Sequence, residues 1–567
     1  MVNQSNGDRY NVTDITPPYD IRCDIKILML PMRDGVKLHT SIYFPPEFSG
    51  KAGVILFRSP YSRTTWLDLP NAEALKADMI YISQASRGTG WSEGGAFDPA
   101  ESHYEISDAE DTFNWLKEQD FFNGSCVMTG ASYPGWLQWC AAFTGNCVLK
   151  GVSPHVAPLY GCTGSARTGG GNALSFAENW MLAMHHRRHY GYAGVPSYED
   201  MKLNWHLPVN TADDFAGYQT NKPFQKFIAA AAKPYAHMAA NRKDFAKIRV
   251  PAFISGGWFD AFREESIETF QLMKNSAATE NARNFTRMVI GPWVHAGLIN
   301  QDIFGEENDM RATSKRRNTF LVNLLKNPDA DPLPGEKQLR VFILGENRWA
   351  DFDNWPPPES ISRKFYLHSN GRISESLPGK DETELSYISD PAAPVLSNNG
   401  AHGDLGYCDL RESEERSDIL LYTSEKFTGK FTIAGKVSIS FYASCDQPDT
   451  DFFATLSDVY PDGRSMICVT GMIRARFRNK NDQPELLEKN SVYHFEFDIG
   501  NIAASFLPGH RMRIRICGQN FPACDRNQQT GSPIFADGVL NKARCSIRHD
   551  AEHPAILTLP EIPSGKM

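Results

Sequence analysis

The sequence predicts an α/β domain built on a parallel sheet, with a helical insertion, followed by an all-β domain. Five short apolar runs are typical of strands buried on both faces, and a helical pattern separates the second run from the third. They are residues 53–57, 79–83, 127–128, 250–255 and 286–290. Beyond Pro356-Pro-Pro358 the pattern changes to alternation of apolar and polar residues, which indicates a β-sandwich or jelly roll. The alternating segments are residues 436–442, 491–497 and 511–516.

These patterns divide the chain of 567 residues, which is too long for one core, into three parts. We predict an α/β domain over 1–160 and 246–345 and an all-β domain over 346–567. Residues 161–245 carry scattered aromatic side chains without strand alternation, and we predict a helical cap there. In the first domain, Asp34-Gly35 predicts a hairpin turn, and Ser107-Asp-Ala-Glu110 predicts a capping box at the start of a helix.

Composition excludes several classes of function. A formal net charge of -9 gives no reason to expect nucleic acid or an anionic membrane as a partner. The amino terminus lacks the features of a secretory signal, and no segment reaches the roughly 18 apolar residues of a transmembrane helix. Eleven scattered cysteines without a Cys-x-x-Cys pair predict reduced thiols in a cytoplasm, and neither a disulfide framework nor a structural metal site.

The segment Gly130-Ala-Ser-Tyr-Pro-Gly135 carries the strongest functional signal. It follows the apolar run at 127–128 and precedes a segment with helical spacing. A serine on such a sharp strand-to-helix turn lies at strained backbone angles, with its hydroxyl raised above the end of the sheet. Glycines on both sides of the turn predict close packing between helix and strand. We therefore predict Ser132 as a catalytic nucleophile.

A serine hydroxyl needs a base to take its proton, and a third group to orient that base. Asp260 follows the strand at 250–255, and His295 follows the strand at 286–290. The order Ser, Asp, His is the order of the triad on this kind of sheet, and all three residues follow strand ends, where open α/β sheets build their sites. Considered alone, Asp260 is better interpreted as a helix N-cap and His295 as a loop histidine. Together with Ser132, in this order and each after a strand, they predict a catalytic triad.

The oxyanion that develops during acyl transfer needs hydrogen-bond donors. The backbone N–H of Tyr133, the residue after the nucleophile, is the expected first donor. The phenol of Tyr61, at the end of the first buried strand, is a candidate second donor. A packing role is the alternative for Tyr61.

The chain resembles the CocE/NonD family of serine hydrolases, which contains cocaine esterase, X-Pro dipeptidyl-peptidases and α-amino-acid ester hydrolases. The stretches that carry the resemblance follow the family's order through nearly the whole chain. They are Arg58-Ser-Pro-Tyr61, Arg87-Gly-Thr-Gly-Trp-Ser-Glu-Gly94, Gly130-Ala-Ser-Tyr-Pro-Gly135, Gly257-Trp-Phe-Asp260, Gly291-Pro-Trp-Val-His295, Pro448-Asp-Thr-Asp-Phe452, Asp458-Val-Tyr-Pro-Asp-Gly463 and Phe506-Leu-Pro-Gly-His-Arg511. One departure is Gln84-Ala85-Ser86, where many relatives have an acidic residue, so the partner of Arg87 stays open.

The resemblance implies an α/β-hydrolase domain with an inserted helical cap and a C-terminal jelly roll, and no cofactor or metal. It also implies the triad Ser132, Asp260 and His295 and the oxyanion hole of Tyr61 and Tyr133. Similarity to the cocaine-esterase branch suggests pocket residues, for which we select Trp180, Phe262, Trp136 and Trp258. The implied substrate is a small-molecule ester or amide, and the architecture is compatible with a monomer or a homodimer.

Several other signals keep alternatives open. Glu264 and Glu265 could anchor a substrate amine, as an aminopeptidase or acylase would need, although solvated helix charges are the favoured interpretation. His185, His186 and His189 are interpreted as a basic helix end rather than metal ligands. Four aspartates of the second domain are interpreted as turn caps rather than calcium ligands. They are Asp446, Asp449, Asp451 and Asp458. A carbohydrate-binding protein with a vestigial hydrolase domain is the alternative from a different class.

Overall fold

The computed structural model describes the greater part of the chain. The described residues are 10–11, 23–61, 77–95, 97, 103–159, 169–171, 180, 184, 205–215, 224–226, 242–295, 301–305, 308, 310–397 and 406–565. Within them the strands form two sheets of eleven strands each. Most of residues 161–245, the predicted cap, lies outside the described residues.

The first sheet contains the strands up to residue 352. They are β1 (Tyr10–Asn11), β2 (Asp24–Pro31), β3 (Lys37–Phe44), β4 (Ala52–Ser59), β5 (Ile80–Ala85), β6 (Phe122–Ala131), β7 (Leu149–His155), β8 (Phe253–Gly257), β9 (Arg287–Gly291), β10 (Leu339–Ile343) and β11 (Arg348–Phe352). The spatial order is β1-β2-β3-β5-β4-β6-β7-β8-β9-β10-β11. The strands from β5 to β10 in this order are parallel, and antiparallel pairs close both edges.

The predicted strands of this sheet are present, and burial explains why their sequences are uninterrupted apolar runs. Every residue of β4, β8 and β9 is buried, because helices cover both faces of a parallel sheet. The hairpin at Asp34-Gly35 is also present: β2 pairs antiparallel with β3, and Gly35 adopts a φ of 87°. Strand β7 was not predicted, since Lys150 and Pro154 interrupt its apolar pattern.

Helices lie between strands of this sheet, and one further helix follows it in the chain. They are α1 (His103–Lys117), α2 (Tyr133–Phe143), α3 (Ala212–Phe215), α4 (Arg263–Ser276), α5 (Glu280–Asn284), α6 (Gln301–Phe304), α7 (Met310–Lys326) and α8 (Arg411–Glu414). The predicted capping box is wrong, because α1 begins at His103 and Ser107 lies inside it. The Ser107 hydroxyl donates to the carbonyl of Tyr104 at 3.0 Å, one turn back along the same helix. No described helix is both long and apolar enough to cross a membrane.

The second sheet contains the strands from residue 361 onward and is almost entirely antiparallel. They are β12 (Ile361–Leu367), β13 (Arg372–Ser374), β14 (Leu385–Ser389), β15 (Leu420–Ser424), β16 (Phe431–Cys445), β17 (Asp451–Val459), β18 (Ser465–Arg474), β19 (Tyr493–Phe506), β20 (Arg511–Cys517), β21 (Ala543–Ile547) and β22 (Ala555–Ile562). Most of β16 alternates buried and partly exposed residues, as the sequence pattern predicts. The chain is thus an α/β domain followed by a β-rich domain, and the domain limits given above stay predictions.

The two domains contact each other beside helix α4. The Glu264 carboxylate accepts hydrogen bonds from the backbone amide of Asn501, at 2.8 Å, and from its side-chain amide, at 2.5 Å. The Asn501 side-chain oxygen in turn accepts from the indole of Trp355 at 2.7 Å. A helix of the first domain is therefore held by a strand of the second.

Candidate active site

Ser132 lies between the end of β6 and the start of α2. Its backbone adopts φ 62° and ψ -129°, a combination that costs a non-glycine residue free energy. Two sets of backbone hydrogen bonds hold this conformation. The Ser132 amide donates to the carbonyl of His155 at 2.8 Å, and the Ser132 carbonyl accepts from Gly135 at 2.8 Å and Trp136 at 3.1 Å. The turn has the strain that the sequence predicts for a nucleophile.

The glycines on either side of Ser132 are required by close packing. A Cβ atom at Gly130 would lie 2.6 Å from the Cβ of Pro134, and one at Gly135 would lie 2.6 Å from the Cβ of Ala157. Neither distance is sterically allowed. Gly135 therefore lets α2 approach the segment that follows β7, which confirms the predicted close packing.

Three side chains meet above the carboxyl ends of β6, β8 and β9. His295 Nε2 lies 2.9 Å from Ser132 Oγ, and His295 Nδ1 lies 2.7 Å from Asp260 Oδ2. The other oxygen of Asp260 accepts from the amide of Phe262 at 2.7 Å. Asp260 is 5% exposed, so water cannot readily replace these bonds. The structure thus brings together the three residues that the sequence predicts as a triad.

This arrangement selects one tautomer of the imidazole. An ionised carboxylate only accepts hydrogen bonds. His295 Nδ1 therefore carries a proton and donates the hydrogen bond to Asp260. His295 Nε2 is then an acceptor, and the Ser132 hydroxyl donates to it. The geometry is that of a serine whose proton can pass to a histidine base.

The predicted oxyanion donors lie beside Ser132 in a cluster of aromatic residues. Tyr133 is the first residue of α2, and Tyr61 follows β4. Trp180 contacts both: its indole N–H donates to the Tyr61 hydroxyl oxygen at 3.3 Å, and its ring stacks on that of Tyr133 at 5.7 Å. Phe97 packs edge-on against Tyr133 at 5.4 Å and against Trp180 at 5.9 Å.

The structure separates the four predicted pocket residues. Phe262 places its ring edge-on to the His295 ring at 5.3 Å, and Trp180 lies in the aromatic cluster described above. Trp136 is 2% exposed and packs on Tyr133 at 5.0 Å, beneath that cluster.

Trp258 takes a core position rather than a pocket position. It is fully buried, donates to the Phe342 carbonyl at 2.6 Å, and packs on Trp355 at 5.7 Å. Its position in the loop after β8 suggested a pocket residue, but its indole turns inward.

The partner of Arg87 is now defined. Its guanidinium forms a bidentate contact with Asp108, at 2.6 and 2.8 Å, and a further ion pair with Asp34 at 2.7 Å. Gln84, in the stretch where relatives carry an acid, accepts instead from Arg58 at 2.9 Å. Arg58 is fully buried and also pairs with Glu105 at 2.9 Å. Burial raises the pKa of Glu105, and the Arg58 charge opposes that rise.

His155 is a site residue that the sequence did not reveal. Its carbonyl receives the Ser132 amide, and its Nδ1 lies 2.6 Å from the Ser255 hydroxyl. Burial lowers the pKa of His155 to about 3, so the ring is neutral at ordinary pH. Because β7 lacks an apolar run, the sequence pattern could not place His155 next to Ser132.

The two glutamates after Asp260 are engaged within the protein. Glu264 accepts from Asn501 and from Arg263, whose Nε lies 2.8 Å away. Glu265 is 7% exposed and accepts from the backbone amide of Leu159. The solvated helix charge favoured from the sequence is therefore wrong for Glu265, whereas the Glu264 side chain is 40% exposed and also hydrogen-bonded within the protein.

The aspartates of the second domain were interpreted as turn caps, and this is wrong for three of the four. Asp451 forms a bidentate ion pair with Arg474, and Asp449 pairs with Arg476 at 2.7 Å. Asp458 contacts His510 at 2.9 Å. Asp446 accepts from the backbone amide of Arg544 at 2.9 Å, and Asp449 also accepts from that of Arg476 at 2.9 Å.

Buried arginines are the partners that the sequence pattern did not reveal for Asp449 and Asp451. Within the described ranges no group of three or more His, Cys, Asp or Glu side chains could hold a metal ion. The histidines at 185, 186 and 189 lie outside the described residues.

Comparisons with known proteins agree with this architecture. Residues 34–297 match the model of the X-Pro dipeptidyl-peptidase (S15) family, and residues 334–558 match that of the X-Pro dipeptidyl-peptidase C-terminal non-catalytic domain. The chain is 30% identical to the cocaine esterase of Rhodococcus sp. (strain MB1 Bresler), over 94% of this chain and 98% of that protein.

Two solved structures have closely similar folds. An α-amino-acid ester hydrolase superposes with a TM-score of 0.82 at 25% identity, covering 97% of this chain and 99% of the other. An aminopeptidase from a marine sediment Thaumarchaeota archaeon also has a TM-score of 0.82, at 23% identity, covering 99% of this chain and all of the other. The second likeness shows the fold alone.

Proposed function

The chain belongs to the CocE/NonD family of serine hydrolases, and from this premise we propose that it cleaves a carboxylic ester through an acyl-enzyme formed on Ser132. The observation that carries the proposal is the pair of hydrogen bonds that joins Ser132 to His295 and His295 to Asp260. An alcohol leaving group departs more readily than an amine, so an ester is the less demanding substrate for this set of residues.

In the first step, Ser132 Oγ attacks the ester carbonyl carbon while His295 Nε2 takes the hydroxyl proton. The carbonyl oxygen becomes an oxyanion, which accepts hydrogen bonds from the Tyr61 hydroxyl and the Tyr133 amide. When the tetrahedral intermediate collapses, the bond to the alkoxy group breaks and His295 returns the proton to the departing alcohol. Water, deprotonated by His295, then attacks the acyl-enzyme and releases the carboxylic acid and free Ser132.

Asp260 holds the imidazole in the tautomer protonated on Nδ1, which these proton transfers require. It also stabilises the imidazolium that exists while the intermediate is formed. The ring of Phe262 against His295 keeps one side of the imidazole out of water. Trp180 and Phe262 are the pocket residues in this proposal, and they favour a bulky, aromatic acyl group because both present ring surface.

The aminopeptidase or acylase alternative needs an acidic side chain for the substrate's amine. Glu264 is held by Asn501 and Arg263, and Glu265 by the Leu159 amide, so both carboxylates already serve the protein's own structure. This favours the ester hydrolase. A carbohydrate-binding protein with a vestigial hydrolase domain is disfavoured, because a vestigial domain has no need to keep the strained Ser132 turn. Cytoplasmic localisation and a possible homodimer stay predictions.

The test compares wild type with Ser132→Ala on p-nitrophenyl acetate, p-nitrophenyl benzoate and a series of Xaa-Pro-p-nitroanilides. We expect turnover of the esters, faster for benzoate, with loss of turnover in the variant. A fluorophosphonate probe should label wild type once, at Ser132.

If the enzyme cleaves the Xaa-Pro-p-nitroanilides, and N-acetylation of these substrates abolishes the cleavage, the activity is that of a peptidase rather than an esterase. Absence of both turnover and labelling would instead favour the binding protein.

A further inference from the structure

Trp180 contacts both residues that we propose as oxyanion donors. Its indole Nε1 lies 3.3 Å from the Tyr61 hydroxyl oxygen, and its ring stacks on Tyr133 with an interplanar angle of 24°. Tyr61 is 8% exposed, so protein contacts rather than bulk water determine how its hydroxyl is oriented. One side chain of the predicted cap region therefore contacts the Tyr61 hydroxyl and the ring of Tyr133, whose backbone amide is the other proposed donor.

The chemistry of the indole fixes the direction of this hydrogen bond. An indole nitrogen only donates, whereas a phenol both donates and accepts. Trp180 must therefore be the donor, and the Tyr61 oxygen the acceptor. Conjugation keeps a phenolic proton in the plane of its ring, where it has two positions. The position on the side of Trp180 is unfavourable, because two hydrogens would face each other, and the proton turns to the other side.

We infer that Trp180 is a positioning residue that sets the Tyr61 hydroxyl as a hydrogen-bond donor to the oxyanion. The inference rests on the proposed function, and it adds a role for the Trp180 indole N–H, which donates to the Tyr61 hydroxyl. Donating to the phenol oxygen also makes the phenol a stronger donor, because hydrogen bonds in a chain polarise one another. Trp180 does not touch the oxyanion, and it acts through Tyr61.

This assignment differs from that of a residue which only lines the acyl pocket. A pocket wall changes substrate binding and leaves the Tyr61 proton unaffected. A positioning residue changes the transition state, in which the oxyanion exists, more than the ground state. Loss of a pocket wall should therefore change mainly KM, whereas loss of a positioning residue should lower kcat. The loss of kcat should also require the Tyr61 hydroxyl to be present.

The experiment is a double-mutant cycle with Trp180→Phe and Tyr61→Phe on the p-nitrophenyl ester that wild type turns over fastest. Trp180→Phe keeps a ring for stacking and removes the N–H. We expect kcat to fall about 5- to 10-fold, the value of one hydrogen bond, with KM changed less than about 2-fold. In the Tyr61→Phe background the same change should alter kcat by less than about 2-fold, since no hydroxyl remains to be oriented.

A matched control is Trp205→Phe. Trp205 is 42% exposed and packs edge-on against Phe521 of the second domain at 4.5 Å. The variant loses the same atoms as Trp180→Phe, and its kcat should match that of wild type. Replacing Trp180 by 3-benzothienylalanine, in which sulfur takes the place of N–H at nearly constant shape, repeats the test if the phenylalanine variant misfolds.

An equal loss of kcat in both backgrounds would overturn the inference, because Trp180 would then act independently of the Tyr61 hydroxyl. A change confined to KM would also overturn it and leave Trp180 as a pocket wall. Failure of the proposed function gives a different result: Ser132→Ala would then keep its turnover, whatever the cycle shows.

Discussion

Asp260 and His295 lie 35 residues apart in the chain and 2.7 Å apart in space, and the bond between them determines which nitrogen of the imidazole faces Ser132. The Asp260 side chain is itself fixed, because its second oxygen accepts from the Phe262 amide. The orientation of the base therefore depends on the backbone of the loop between β8 and α4.

Asp260→Asn tests this dependence. The asparagine oxygen can keep the bond from Phe262, which turns the NH₂ group toward His295 Nδ1. His295 then accepts at Nδ1 and carries its proton on Nε2, where it cannot take the proton of Ser132. We expect kcat to fall by about 10,000-fold with little change in thermal stability.

Asp244→Asn, which removes a surface ion pair with Lys247, is the control and should leave kcat unchanged. An Asp260→Asn variant with near wild-type kcat would contradict the tautomer argument.

Gly135→Ala tests the packing behind Ser132. The added methyl group would lie 2.6 Å from the Cβ of Ala157, so α2 must move away from the segment after β7. We expect the free energy of unfolding to fall by about 1 to 3 kcal/mol.

Activity should fall further than stability explains, since Ser132 moves with the helix. The control is Gly429→Ala, because a Cβ atom there meets nothing within 4 Å. Equal effects of the two substitutions, measured by urea denaturation and ester turnover, would argue against this packing.

His549 predicts a pH dependence of stability. Its Nε2 lies 2.9 Å from the Tyr422 hydroxyl, and burial lowers its pKa from 6.5 to about 4. The unfolded chain therefore binds a proton at this site that the folded protein excludes. The contribution of His549 to the free energy of unfolding is complete above the unfolded pKa of 6.5, and it is lost as the pH falls toward about 4.

The measurement compares the free energy of unfolding at about pH 7 and about pH 4.5 in wild type and His549→Gln. Glutamine does not titrate, so the loss on acidification should be smaller in the variant by about 2 kcal/mol. An identical loss in the two proteins would show that His549 titrates alike in the folded and unfolded states.

Asn501→Ala tests the contact between the domains. The substitution removes the side-chain amide of Asn501 from Glu264, which keeps its bonds from Arg263 and from the backbone amide of residue 501, and it leaves the buried Trp355 indole without its acceptor. We expect the free energy of unfolding to fall by about 1 to 3 kcal/mol, mainly because the indole N–H loses its partner.

A double-mutant cycle with Glu264→Gln should give a coupling energy of about 1 to 2 kcal/mol. Asn370→Ala, in an exposed turn where the side chain accepts only from Arg372, should cost less than about 0.5 kcal/mol. Additive effects of the Asn501 and Glu264 substitutions would mean that their bond contributes nothing to stability.

The sequence predicted the parallel sheet and the meeting of Ser132, Asp260 and His295, for a physical reason. Strands buried on both faces must be apolar, and the residues that follow such strands gather at one edge of the sheet. Where a strand lacks this pattern, as β7 does, the prediction failed and its end residue His155 was missed. Pairing between distant elements was also missed, as in Asp451 with Arg474, because a turn aspartate and a buried one look alike in a sequence.

The Trp258 error has the same origin as the missed pairs. Two aromatic residues near Asp260 are four positions apart, yet Phe262 packs on the His295 ring while Trp258 packs in the core. Only the path of the loop distinguishes them. The contact of Trp180 with Tyr61 is likewise a property of tertiary packing, since 119 residues separate the two in the chain.

The bond between Glu264 and Asn501 has a consequence for how such proteins can change during evolution. Glu264 lies four residues beyond Asp260, so the support of the loop that carries Asp260 extends into the second domain. Recombination that brought in a second domain without the side-chain donor would remove part of the support beside Asp260, and we expect such a chimera to be less stable than its parent. The β-rich domain thus contributes to the surroundings of the site as well as to its own sheet.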